Sequence, residues 1–91
     1  MFEWDEEKNK INIEKHGVSF EEAVQVFSDP NRMVTYDEGH SQLEDRYFCV
    51  GKISSGIITV RFALRGGDIR IIGAGFWRNG RNAYEQRNKI H

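Results

Sequence analysis

The spacing of apolar positions changes near residue 30, and the change divides the chain into a helical part and a stranded part. Phe2 and Trp4 alternate with Glu3 and Asp5, a pattern for a short first strand or an extended lead-in. Asp5 is a good N-cap for a helix over roughly Glu6–His16. Glu6 and Glu7 stand in its first turn and Lys15 and His16 in its last, as the helix dipole favours, and Gly17 supplies the stop. Ser19 and Glu22 have the spacing of a capping box, with Val18 and Ala23 placed for a hydrophobic staple. Phe20, Ala23, Val24 and Phe27 then recur at helical spacing until Ser28, Asp29 and Pro30 end the second helix.

From Met33 the period becomes two. Met33–Tyr36 reads as a strand, and Asp37–Asp45 as a polar, acidic loop. Arg46–Ile53, Ile57–Arg65 and Ile69–Phe76 read as three further strands joined by Ser54-Ser55-Gly56 and Gly66-Gly67-Asp68. Connections this short make antiparallel hairpins. A polar helix from about Asn79 to Lys89 closes the chain. The expected architecture is α+β: a short N-terminal strand and two helices on an antiparallel four-stranded meander, then a C-terminal helix, with helices covering one sheet face.

Alternation also sorts the strands by face. In Ile57–Arg65, Ile58, Val60, Phe62 and Leu64 share one side and Thr59, Arg61, Ala63 and Arg65 the other. In Ile69–Phe76, strict alternation groups Ile69, Ile71, Gly73 and Gly75 against Arg70, Ile72, Ala74 and Phe76. Both sides are mainly apolar, which suits a central strand. The pair Gly73 and Gly75 marks a bulge or a close approach by another group.

Charge changes this picture. Residues 1–45 hold twelve carboxylates and four basic residues, a balance of -8, and residues 46–91 hold nine basic residues against Asp68 and Glu85, a balance of +7; the sum is the net -1. Seven of those nine are arginines, whose planar fork suits phosphate, so the second half suggests an anionic partner with nucleic acid the first candidate. Mutual neutralisation of the two halves in the fold is the plainer alternative. At 91 residues the chain is one small domain. No apolar run is long enough for a membrane helix, the start Met1-Phe2-Glu3-Trp4-Asp5 is not that of a signal peptide, and the lone Cys49 fits a reducing compartment, so the cytoplasm is expected.

Candidate chemistry concentrates after residue 60. Phe76, Trp77, Arg78 and Arg81 join aromatic faces to phosphate-binding groups at a strand-to-helix junction, where bases could stack; equally, both rings could be core. Gly73-x-Gly75 lacks the rest of a dinucleotide fingerprint, and no histidine pair has metal spacing, so no cofactor or metal is expected. His40 in the acidic loop is a candidate acid or base, or a solvated loop histidine. Tyr84 either docks the last helix or offers a hydroxyl near Arg81. Cys49 reads as a buried strand residue.

Phe2-Glu3-Trp4-Asp5, Lys8-Asn9 and the run Lys15-His16-Gly17-Val18-Ser19-Phe20-Glu21-Glu22-Ala23 together resemble the BrnT toxin family. So do Asp29-Pro30, Glu44 with Arg46, and Ile69-Arg70-Ile71-Ile72. The resemblance implies a RelE-like fold and a ribonuclease of a type II toxin–antitoxin pair. It also implies neutralisation by a BrnA-like ribbon-helix-helix antitoxin, and operator DNA bound only through that complex. Many members look like Ser-Ala-Arg after the Ile-Ile pair, where this chain has Gly73-Ala74-Gly75. For a metal-independent RNA endonuclease, Arg61, Arg65, Arg78 and Arg81 are the candidates for phosphate binding or transition-state stabilisation. His40 and Tyr84 are the acid/base candidates, and Arg70, Phe76, Trp77 and Lys52 the further RNA contacts. The competing expectation is a catalytically degenerate module that binds RNA or antitoxin, with a basic face that receives an acidic antitoxin segment.

Overall fold

The computed structural model describes residues 1–89. Strand β1 (Phe2–Glu3) leads into helix α1 (Glu6–His16) and helix α2 (Phe20–Val24), which tightens into a 3-10 turn over Gln25–Ser28. Strands β2 (Met33–Tyr36), β3 (Arg46–Ile53), β4 (Gly56–Arg65) and β5 (Asp68–Gly75) follow, and helix α3 (Arg78–Arg87) comes last. The sheet order is β1-β5-β4-β3-β2. The expected meander is present, and β1 extends it as a fifth strand, parallel to β5 through Phe2↔Ile69 and Glu3↔Arg70.

The helix ends form as their side chains dictate. Asp5 Oδ1 accepts from the Glu7 and Lys8 amides, and Gly17 closes α1 at φ 67°, a conformation that favours glycine. Ser19 Oγ accepts from the Glu22 amide at 3.0 Å. The reciprocal half of the capping box does not form: the Glu22 carboxylate accepts from the Ser55 hydroxyl instead and ties α2 to the β3–β4 turn.

Helix α1 docks through polar groups. Its buried residues are Asn9 and Asn12, while Ile11 and Ile13 stay about half exposed. The Asn12 amide donates to the carbonyls of Val18 and Ala74 and accepts from the Ala74 amide, so it pairs the edge of β5 where β1 has ended. Asn9 accepts from the Phe20 amide and fixes the start of α2. These bonds seat Val18, Phe20, Ala23 and Val26 on Cys49, Ile58, Val60, Phe62, Ile71 and Ala74, the buried core.

Two expectations about faces need correction. The register shifts between Arg61↔Gly73 and Phe62↔Ile71, leaving Ile72 as the extra residue of a β-bulge. Alternation is broken there. Ala74 therefore joins Ile71 on the core face, and Gly73 and Gly75 lie on the opposite face together with Arg70. Nor do the helices share one face: α3 crosses the sheet on the side opposite α1 and α2. Gly80 sits against Thr59 and Val50, where any Cβ would overlap the Thr59 hydroxyl. Further along, the buried Tyr84 donates its hydroxyl proton to Asp29 at 2.6 Å, and Asn88 reaches the Asn31 carbonyl. No helix among the described residues is long and apolar enough to cross a membrane.

Candidate functional site

The face that α3 crosses carries four arginines from three adjacent strands. Register places Arg46 and Arg70 on either side of Ala63, and Arg61 beside Phe48 and Gly73 one pleat away; Arg65 follows at the end of β4. Ala63 is fully buried at the centre of this ring, as the aliphatic stems of arginines lying over it require. Arg46 was not among the residues the sequence singled out for a site. Arg70 comes to the same face as Arg61 through its pairing with Ala63, ahead of the bulge at Ile72.

The four differ in their partners. Arg65 makes a two-pronged contact with Glu44, at 2.9 and 3.1 Å; that bond holds the Glu44 carboxyl below its usual range and raises the Arg65 value further. Arg70 meets Glu3 at 3.3 Å, and Arg46 has only a 3.7 Å approach to Glu44. Arg61 has no carboxylate partner among the described residues. Acids of the first half thus neutralise Arg65 and Arg70 but leave Arg61 free and Arg46 loosely held. The Nε atoms of Arg46 and Arg61 are buried and donate to nothing among the described residues. Buried guanidinium donors without acceptors are rare and costly, and neither Arg46 nor Arg61 has a close carboxylate, which suits guanidiniums that take an external anion.

Beside Arg61 an open groove of about 380 Å³ runs between the sheet and α3. Its walls include Met33, Thr35, Phe48, Val50 and Thr59 from the strands and Trp77, Asn79, Gly80 and Ala83 from the junction and helix. Trp77 lies directly over Gly75, where a Cβ would come within 2.6 Å of the ring, and its other side meets His16 edge-on at 5.3 Å. The glycine at 75 is therefore the seat of Trp77. The same position had drawn attention as a departure from an arginine.

The remaining candidates are dispersed. His40 stands on a 3-10 turn after β2, its Nδ1 3.1 Å from the buried Asp37 carboxylate. That loop is tied to the start of β3, because the Asp37 amide donates to the Arg46 carbonyl and the Ser41 hydroxyl accepts from the Arg46 amide. The loop that carries His40 is thus tied to the backbone of Arg46, and Asp37, which the sequence did not single out, orients the ring. Tyr84 is not near these groups. Burial, reinforced by the bond to Asp29, pushes its hydroxyl up to about 12. For Asp29 burial acts upward, yet the bonds from Tyr84 and from the Lys52 and Asn31 amides prevail and lower it. Arg78 and Arg81 are exposed at the start of α3, and Arg81 approaches Glu85 at 3.6 Å. Phe76 and Lys52 lie across α3 from the groove, with Arg81, around a second open pocket. Cys49 is fully buried, and desolvation pushes its thiol up to about 11.

A family model described as ribonuclease toxin, BrnT, of type II toxin–antitoxin system matches residues 4–79. The chain belongs to the BrnT family. No curated protein matches it. The match covers both first helices, the whole meander and the first two residues of α3, so all four arginines of the BrnT sheet face and His40 fall within it, while Gly80 and Ala83 of the groove lie beyond it. A BrnT protein is a ribonuclease toxin with an antitoxin partner, and the α+β architecture found here accords with that assignment.

Proposed function

We propose that this chain is a metal-independent RNA endonuclease whose cutting centre is the arginine face, and that a BrnA-like ribbon-helix-helix antitoxin neutralises it. The observation that carries the reading is the pair of buried, partnerless Nε donors of Arg46 and Arg61 beside an apolar groove. In the reaction the 2′-hydroxyl attacks the adjacent phosphorus and the 5′-oxygen leaves, giving a 2′,3′-cyclic phosphate and a 5′-hydroxyl end. Negative charge builds on the phosphorane oxygens, and fixed cationic donors aimed at that charge are the largest contribution a protein can make. Arg61 and Arg46 fill this role, with Arg70 and Arg65 adding field from beside them. The groove wall of Phe48 and Trp77 accepts a neighbouring base by stacking. His40, held by Asp37, serves the proton transfers, with one ring nitrogen fixed by the carboxylate and the other facing outward. Tyr84 serves docking of α3 in this reading, and Arg78 and Arg81 hold the RNA backbone where it passes the helix.

The test is expression without the antitoxin. Wild type is expected to arrest growth and fragment total RNA, and Arg61→Ala, if folded, to do neither. An Arg61→Ala protein as toxic as wild type contradicts the assignment. The replacement of an arginine by Gly75 favours a second reading, a module that binds RNA or antitoxin without cutting. Salt-dependent RNA binding by a wild-type protein that never cleaves would decide for it.

A further inference from the structure

Across α3 from the arginine face lies a second pocket, of about 340 Å³, lined by Lys52, Ser55, Gly56, Ile57, Phe76, Arg81 and Glu85. It collects residues that the sequence scatters over more than thirty positions. Phe76 is 47% exposed, and the edge of its ring rests on Gly56, where a Cβ would stand 3.3 Å from the ring. The glycine makes room for the ring at the pocket, where about half of the residue stays open to solvent. Lys52 anchors its backbone amide on Asp29 at 2.7 Å, which leaves the ammonium to the pocket. Glu85 approaches Arg81 at 3.6 Å, beyond hydrogen-bonding distance, so the guanidinium is only loosely held.

A half-exposed aromatic between two cations matches one nucleotide of a single strand: the ring stacks a base of any identity, and the cations take the flanking phosphates. Among the lining residues Glu85 is the one carboxylate against the two cations, with Glu22 behind it bonded to the Ser55 hydroxyl. We propose that this pocket is an RNA subsite separate from the cutting centre, holding a flanking nucleotide of a substrate that passes over the N-terminal turn of α3. The proposal rests on the endonuclease reading above. Along β4, Ile57 and Arg61 are four residues apart, roughly 13 Å at strand rise. An RNA must therefore extend beyond the cut to reach both places, and exposed Arg78, at the start of α3, lies on the way.

The experiment compares cleavage of a trinucleotide with that of a decanucleotide by the full chain, for wild type, Phe76→Leu and the double variant Lys52→Gln/Arg81→Gln. Because stacking on one aromatic changes affinity by about fivefold or more, the ratio of decamer KM to trinucleotide KM is expected to rise at least about fivefold in Phe76→Leu. In the double variant the dependence of decamer KM on salt is expected to weaken as well. In a decamer carrying 2-aminopurine, quenching of the probe on binding should be lost in Phe76→Leu. Wild type that cuts RNA, with an unchanged KM ratio and unchanged quenching in both variants, overturns the subsite. So does a loss of antitoxin affinity in the same variants without any change toward RNA, which would assign the pocket to a protein partner. Wild type that cuts neither RNA instead contradicts the endonuclease reading, while quenching lost only in Phe76→Leu would still sustain the pocket.

Discussion

Replacing Tyr84 by Phe removes one oxygen and should reveal what holds α3 on the sheet. The Tyr84 hydroxyl donates to Asp29 Oδ2 at 2.6 Å in a setting only 6% exposed. A hydrogen bond to a charged group contributes roughly 1.5–3 kcal/mol. Burial and then the bond to Asp29 raise the hydroxyl to about 12, so it stays protonated and able to donate throughout the neutral range. Asp29 keeps its bonds from the Lys52 and Asn31 amides in the variant, so its charge remains partly satisfied and the lower end of the range applies. Tyr84→Phe is expected to lose about 1.5–2 kcal/mol at pH 7, a fall in Tm on the order of 10 °C for a domain of this size. The sign with pH follows from the two shifts. Tyr84 has a raised folded value, so its contribution is whole below pH 10 and disappears as pH rises towards 12. Asp29 has a lowered folded value, so its contribution is whole above its ordinary range near 3.8 and disappears as pH falls through the lower folded value. The stability gap between wild type and variant should therefore be widest near neutrality and close at both ends. Urea unfolding followed by circular dichroism from pH 3 to pH 11 measures it. A gap of zero at pH 7, or one that does not narrow at either end, would refute this account of the docking.

Two other substitutions test the frame around the site. Asn12→Ala should cost about 2–4 kcal/mol, because it leaves the Ala74 amide and carbonyl and the Val18 carbonyl buried without partners; chemical denaturation reads it directly. Gly80→Ala should destabilise by about 1–3 kcal/mol although alanine favours helix, since its methyl would overlap Thr59 where α3 crosses; a stabilised variant would show that the helix sits further from the sheet.

Most of the fold follows from local chemistry that a sequence displays. The caps Asp5, Gly17 and Ser19 are where their side chains and backbone freedom put them, and β2 and β3 have the expected bounds. What alternation could not reveal is the extra residue at Ile72. The pair Gly73 and Gly75 marks a bulge or a close approach in this run, but alternation does not show which residue is extra, and one residue reverses every face beyond it. That reversal is why Gly73 and Gly75 lie on the arginine face and Ala74 in the core, whereas Arg70, before the bulge, reaches that face through Ala63. The inward face of α1 was illegible for a different reason: it docks by Asn9 and Asn12, and a search for apolar periodicity passes over buried amides. Arg46 stands at the first position of β3, where the sequence alone does not show which strand will lie beside it. Its place near Arg61 depends on pairing with a residue seventeen positions later, Ala63. The opposition of acidic and basic halves proved partly internal, through Glu3–Arg70 and Glu44–Arg65.

The central claim, that Arg46 and Arg61 stabilise the charge formed as RNA is cut, is tested most directly by single-turnover cleavage with purified protein in the presence of a chelator. Wild type should cut and leave 2′,3′-cyclic phosphate ends. A folded Arg46→Ala/Arg61→Ala protein should be slower by about 100-fold or more, the loss typical of a transition-state donor. A double variant that cuts at the wild-type rate would contradict the account.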